Sequence, residues 1–296
     1  MRLLGTYLRS ARAYVAMVKT MPDPLRFVVG RLLRAIRVSH LVTFRVDDMR
    51  LRLYPSVNSE LYWLKRDIHL SDHRFLRQVV RPGDTVVDVG ANIGALAVQA
   101  SILVGNAGRV IALEAHPRTY RYLLGNVRLN GCSNIQPINV AVGASQGSVN
   151  ISDFPDRDDQ NRVVAVGTSV PADSLDQLLG GTPVSLLKID VEGFEKFVLE
   201  GAKKTLRVTR CVYIQSFEQQ FIEYGYHTSD VLRLLEDAGL TVLRHIDWSR
   251  VEPDYTSASV ENLVALRDPT LVAGLEPSSG FGGREALRER GNDTRV

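Results

Sequence analysis

The sequence predicts an α/β fold: a doubly wound, mostly parallel sheet with helices on both faces. Three observations predict it. Strand and helix segments alternate from residue 84 onward, which requires crossovers that cover both faces of a parallel sheet. A glycine turn, "DVGANIG" (88–94), joins the first of these strands to its helix. The last two strand segments have no helix between them, so they are expected to form an antiparallel pair.

The elements follow in chain order. Residues 1–40 read as a basic amphipathic helical extension of one or two helices, broken near Pro22 and Pro24 because proline cannot occupy a helix interior. Residues 41–69 are a hairpin and connector, with apolar alternation in "LVTFRVDDMRLRLYP" on either side of Asp47-Asp48. The main domain is expected over 70–268. It opens with a short helix in "SDHRFLRQVVRPGD" that stops at Pro82-Gly83. Strand 84–89 leads to a helix from Asn92, and strand 109–113 to a helix from Pro117. That second helix carries Tyr120, Leu123, Leu124 and Val127 on one face and ends at Asn130-Gly131. Strand 134–142 follows. Strand 184–190 leads to a helix near Gly193. Strand 210–216 leads to helix 228–238, with Val231, Leu234, Leu235 and Ala238 on one face and Gly239 as its stop. Strands 240–246 and 260–267 close the domain. Residues 269–296 are polar and glycine-rich and read as a flexible tail. Between strands 134–142 and 184–190 lie about forty residues, longer than an ordinary connection, which read as a solvated insertion or as a wall beside a substrate.

Composition narrows the function. The net charge is +3, but residues 1–40 carry eight Lys/Arg and one acid, an excess of +7 that leaves −4 for the rest. The body therefore lacks the basic footprint of a nucleic-acid-binding protein. No apolar run reaches the ~18 residues of a membrane span, and arginines scattered through the first residues argue against a signal peptide. Cys132 and Cys211 are isolated and show no metal spacing, so reduced thiols and a cytoplasmic location are expected. In "LRFVVGRLLRAIRV" (25–38) apolar residues recur at helical spacing among arginines. Such a helix packs on its own domain, on a second subunit of a homodimer, or peripherally on an anionic membrane.

The glycine turn binds a cofactor through backbone, because glycines allow close approach and the following helix offers free N–H groups. A dinucleotide fingerprint needs a glycine where Asn92 stands, and a carboxylate at Asp88 repels a pyrophosphate. S-adenosylmethionine carries no phosphate, and its ammonium and sulfonium make Asp88 favourable. Glu114 ends the second strand, where an acid accepts hydrogen bonds from ribose hydroxyls.

Four segments together, "VRPGDTVVDVGANIGALAVQAS", "GRVIALEAHPRTYRYLLGNVRLNG", "NIQPINVAVGASQGSV" and "LLKIDVEGFEKFVLEGA", resemble the FkbM-type methyltransferases over about residues 70–267. The resemblance implies a seven-stranded Rossmann-like sheet, S-adenosylmethionine as cofactor, and O-methylation of sugar, glycolipid or secondary-metabolite hydroxyls. It implies that Asp88, Gly90, Ala91, Asn92 and Gly94 surround the methionine moiety. Glu114 would hold the ribose, with Ala115, Asn139 and Ala141 also on the cofactor side. The first 40 residues fall outside the pattern. The tip of the fifth strand carries Gln215 where a carboxylate is expected, with Glu218 only later.

"VSLLKIDVEGFE" supplies the candidate chemistry. A central parallel strand should be apolar on both faces, yet Lys188 and Asp190 share one face of it, so they read either as a structural ion pair anchoring the strand end or as functional groups at the carboxyl edge of the sheet. Methyl transfer to a hydroxyl needs an aligned acceptor and a proton acceptor. Asp190 is the first candidate for base or orienter, with Lys188 tuning it. Glu192 follows, then Glu195, which also reads as a helix-dipole residue. His116, His227 and His245 are further candidates: His116 borders the cofactor or simply starts a helix before Pro117, and His227 stands just before a helix cap. Mg²⁺ at Asp190 with Gln215 or Glu218 lacks a clear ligand set, so no metal is expected. The alternatives are a dinucleotide-dependent oxidoreductase and a non-catalytic cofactor-binding module.

Overall fold

A computed structural model of the chain describes residues 23–154 and 157–277. The first predicted helix before Pro22 and most of the predicted tail lie outside the described residues. The chain divides into two compact units, one up to Ile68 and one from His69.

In the smaller unit, helix α1 (Pro24–Ala35) starts at proline and is capped by Asp23, whose carboxylate accepts from the Arg26 amide at 2.9 Å. Strands β1 (Thr43–Val46) and β2 (Met49–Arg52) form the expected antiparallel hairpin. Its two-residue turn puts Asp47 in the left-handed region, with φ 50°. Phe44, Val46, Met49 and Leu51 alternate inward and are buried. Helix α2 (Val57–Leu64) packs on α1. Gly30 permits this contact: a Cβ there would lie 3.2 Å from the Trp63 indole nitrogen.

The larger unit begins with α3 (Leu70–Val79) and β3 (Thr85–Val89). Then come α4 (Ala95–Val104), β4 (Arg109–Leu113), α5 (Pro117–Asn130) and β5 (Ile135–Ile138). Short strands β6 (Ala141–Val142), β7 (Gly147–Ile151), β8 (Val163–Val164) and β9 (Thr168–Asp173) precede α6 (Leu175–Leu179). The chain continues through β10 (Val184–Ile189), α7 (Glu195–Glu200), α8 (Lys203–Arg207) and β11 (Thr209–Ser216). It closes with α9 (Glu218–Glu223), α10 (Thr228–Asp237), β12 (Thr241–Arg244) and β13 (Glu261–Leu266).

Seven strands form one sheet in the order β12-β13-β11-β10-β3-β4-β5. The first strand of the unit, β3, is central and parallel to both neighbours. Its Val86, Val87 and Val89, and Leu186, Leu187 and Ile189 of β10, are buried because helices cover both faces.

Four elements differ from the sequence expectation. The helix expected from Asn92 begins at Ala95, because Asn92 and Gly94 hold left-handed φ values of 51° and 84° that no helix tolerates. Strand 134–142 breaks after Ile138, and β6 joins another sheet. That second sheet, β6-β9-β7-β8, takes up most of the segment between β5 and β10, so the insertion is folded. In α10 the buried face is Thr228, Val231, Leu232 and Leu235, leaving Leu234 only partly buried. The C-terminal strands pair antiparallel as expected, with β13 inserted between β12 and β11.

Candidate active site

The site is built at the carboxyl edge of β3, β4 and β10. Register explains its first feature. Asp88 of β3 lies opposite Lys188 of β10, and Lys188 lies opposite Tyr213 of β11. Both charged side chains are buried, with Lys188 Nζ 3.0 Å from Asp88 Oδ1. Lys188 Nζ also donates to the Gly90 carbonyl at 2.8 Å. Burial pulls the Lys188 pKa down, but the Asp88 carboxylate and then Asp190 outweigh it, so the ammonium titrates above its usual range. Lys188 thus ties the glycine turn to β10, and Asp88 pairs with it.

The turn itself is tight. Gly90 (φ 75°) and Ala91 both donate backbone N–H groups to Leu113 O, at 2.9 and 3.0 Å. A Cβ on Gly90 would lie 1.9 Å from the Asp190 carbonyl oxygen, and one on Gly94 would lie 2.4 Å from Leu123 Cδ1. Asn126 of α5 donates to Ile93 O at 2.8 Å. Strand β10 and helix α5 therefore press on the turn from two sides, and only glycine fits there.

Glu114 follows β4 and is buried. Its Oε2 accepts from the Asn92 amide at 2.8 Å and its Oε1 from the His116 amide at 2.9 Å. Burial pushes its carboxyl up to about 7 in spite of both bonds. Asn139 stands at the break in the sheet, where its amide donates to Glu114 O at 2.8 Å and Ala115 O at 3.0 Å. This pairing ends β5 and fixes the backbone beside Glu114. Ala115 is half-buried and Ala141 is buried in β6. Asp88, Gly90, Ala91, Asn92, Gly94, Glu114, Ala115 and Asn139 thus gather around one turn and the end of β4, whereas Ala141 belongs to the smaller sheet.

Past β10, Asp190 is half-buried and its amide donates to Val89 O at 3.1 Å. Glu192 is buried with φ 54°, and its Oε2 accepts from Gln220 at 2.6 Å. Glu195 is more than a helix-end acid. It is 1% exposed, it accepts from the Val191 amide at 3.0 Å, and burial raises its carboxyl to about 8, helped by Asp190 and Glu192. A neutral acid at neutral pH beside two other carboxyl groups holds a proton within the motif.

Sequence reasoning did not join up a hydrogen-bonded polar cluster that lies beside Lys188 on the next strand. Tyr213 donates to Asp72 Oδ1 at 2.6 Å, and Asn262 donates to both, at 2.6 Å to the phenol and 3.0 Å to Asp72. His245 Nδ1 lies 3.2 Å from the same phenol oxygen, and burial lowers its pKa to about 4. The phenol proton is given to Asp72, so the neutral His245 donates from Nδ1. The four residues come from α3, β11, β13 and the turn after β12, and no local pattern announces them. Of the four, only His245 stood out in the sequence, as one of three histidines considered singly. By contrast, Glu218 accepts from Thr228 N and Oγ1 and from His227, at 2.8, 2.7 and 2.6 Å, and so serves the start of α10. His116 caps α5. Among the described residues no group of three or more His, Cys, Asp or Glu is placed to hold a metal.

The turn with its cramped glycines and the buried carboxyl just after β4 thus form one cluster at the carboxyl edge of the sheet. Comparisons with known proteins give the family. A model of the methyltransferase FkbM domain matches residues 88–241. The hexuronic acid methyltransferase AglP of Haloferax volcanii is 27% identical over 190 residues, 62% of this chain and 74% of that protein. The ribosomal protein L11 methyltransferase of Pelotomaculum thermopropionicum is 48% identical over 58 residues, 20% of this chain and only 18% of that protein. A solved S-adenosylmethionine-dependent methyltransferase from Aquifex aeolicus is 17% identical, with a TM-score of 0.42 over 73% of this chain and 99% of that one. The matched model runs over half of the chain, from the first acid of the glycine turn to the start of β12; the protein belongs to the FkbM family of methyltransferases, whose cofactor is S-adenosylmethionine.

Proposed function

We propose that the chain methylates a hydroxyl group of a sugar or glycolipid. One observation carries this reading: the backbone carbonyl of Asp190 lies against Gly90, which puts residue 190 directly beside the cofactor turn. When bound, S-adenosylmethionine supplies an electrophilic methyl group. The turn Gly90 to Gly94 would hold its methionine end and Glu114 its ribose. Asp190 orients the acceptor hydroxyl and takes its proton at a carboxylate oxygen. Lys188 and Asp88 keep the turn and β10 in register. Glu192, fixed by Gln220, shapes the floor beside Asp190. The hexuronic acid methyltransferase relative supports a sugar as the acceptor class.

The test is a gain of one methyl mass across a panel of hexoses, uronic acids, lipid-linked glycans and phenolic metabolites. Transfer to a phenolic or polyketide hydroxyl alone would displace the sugar reading. NAD binding without S-adenosylhomocysteine binding would displace the methyl-transfer reading.

The Glu114 role makes a pH prediction. A folded pKa near 7 against an ordinary 4.5 means that its effect on stability is most favourable below pH 4.5 and is lost as pH rises to 7. Ligand binding should run the other way, because an ionised carboxylate accepts hydroxyl hydrogen bonds more strongly. S-adenosylhomocysteine affinity, followed by calorimetry, is expected to rise about tenfold between about pH 6 and 8. Glu114→Gln should flatten that rise. A wild-type profile matching the variant's would remove Glu114 from the ribose site.

A further inference from the structure

Helix α1 is turned the opposite way from an ordinary surface helix, which buries its apolar stripe. Its buried residues are Phe27 and Gly30. On the same inward side Arg26 donates to Trp63 O at 3.2 Å, and Arg34 pairs with Glu60 at 2.7 Å. The apolar stripe faces outward instead: Leu25, Val28, Leu32 and Ile36 are 74%, 44%, 60% and 58% exposed, and Leu41 just beyond is 67% exposed. The orientation is fixed, because Trp63 donates to Arg26 O at 2.9 Å and Gly30 admits the indole at contact distance.

An exposed stripe of this kind marks an interaction face, and charge identifies its occupant. Arg31 and Arg37 are exposed beside it. Residues 1–68 hold thirteen Lys/Arg against five Asp/Glu, a net +8, which leaves −5 for the rest of the chain. A second copy would bring the same positive unit against itself. An anionic lipid surface is complementary to both the stripe and the charge. We propose that α1 is an in-plane membrane anchor, with Leu25, Val28, Leu32 and Ile36 set into an anionic phospholipid leaflet and the arginines at its headgroups. No helix among the described residues is long and apolar enough to cross a membrane, so the contact is peripheral.

The test is cosedimentation of the full chain with phosphatidylcholine vesicles, with and without phosphatidylserine. The full chain should sediment with the anionic vesicles at low salt, and less so as salt screens the arginines. Leu32→Glu/Ile36→Glu should lower the bound fraction at least about tenfold. Both positions are exposed, so the circular dichroism spectrum should not change. Arg31→Glu/Arg37→Glu should weaken binding to anionic vesicles in the same direction. The proposal is overturned if the full chain stays in the supernatant at low salt. It is also overturned if neutral vesicles bind it equally, or if it forms a dimer without lipid that Leu32→Glu/Ile36→Glu dissociates.

Discussion

Replacing Lys188 with methionine is expected to destabilise the larger unit by about 3–5 kcal/mol, the usual result of leaving a buried charge without its partner. The Asp88 carboxylate would remain buried, facing a thioether where an ammonium now lies 3.0 Å away. The Gly90 carbonyl would lose a donor at 2.8 Å in the same step. The measurement is the urea midpoint with its slope, for Lys188→Met and for the pair Asp88→Leu/Lys188→Met. The double variant removes both charges and should regain most of the lost stability, because two buried charges can be replaced by apolar groups at little net loss. Its cofactor affinity should still fall, since the tie to Gly90 is gone. A loss below ~1 kcal/mol for Lys188→Met would show that the pair does not hold the two strands together.

Asp190→Asn is expected to slow turnover by about 10²–10⁴-fold, the range for loss of a positioned proton acceptor. S-adenosylhomocysteine affinity should change little, because the Asp190 backbone carbonyl that lies against Gly90 is kept in the variant. Calorimetry and single-turnover transfer to an active sugar acceptor separate the two effects. If the variant melts early while its folded fraction turns over normally, Asp190 is structural and another group takes the proton. Glu195, which ionises near 8, then becomes the carboxyl to test next.

Much of the fold was legible because its signals are local. Alternating apolar runs located β3, β4, β10 and β11, and glycine at residues 131 and 239 marked the helix stops. The hairpin around Asp47-Asp48 was equally local. The break at Asn139 was not legible, because it depends on hydrogen bonds from its side-chain amide to the carbonyls of residues 114 and 115, just past the neighbouring strand β4. The start of α4 was misjudged by three residues because the left-handed turn at Asn92 looks like a helix cap in sequence. At the site, the motifs gave the identity of the acids but not their partners. Asp88 and Lys188 are separated by a hundred positions, and only the parallel register of β3 and β10 brings them opposite one another. The polar cluster around Tyr213 depends on four separate segments meeting, which no spacing within any one of them encodes.

The place of β13 in the sheet has a consequence for how the chain acquires its structure. β12 pairs only with β13 among the named strands, and β13 alone joins it to β11. As the polypeptide leaves the ribosome, residues 241–244 emerge with no strand to dock on until residues 261–266 follow. Until then the free edge of β11 is an open hydrogen-bonding template, and the apolar side of α10 lacks the strand that covers it. Closing the sheet is therefore a late, non-local event of synthesis, and non-local pairing is the slow kind. Arg267 completes it, reaching back to the carbonyls of Thr209 and Leu206 at 3.1 and 2.6 Å. A nascent chain arrested before Leu266 should carry a cofactor turn already folded on β3, β4 and β10, beside a sheet edge that invites aggregation.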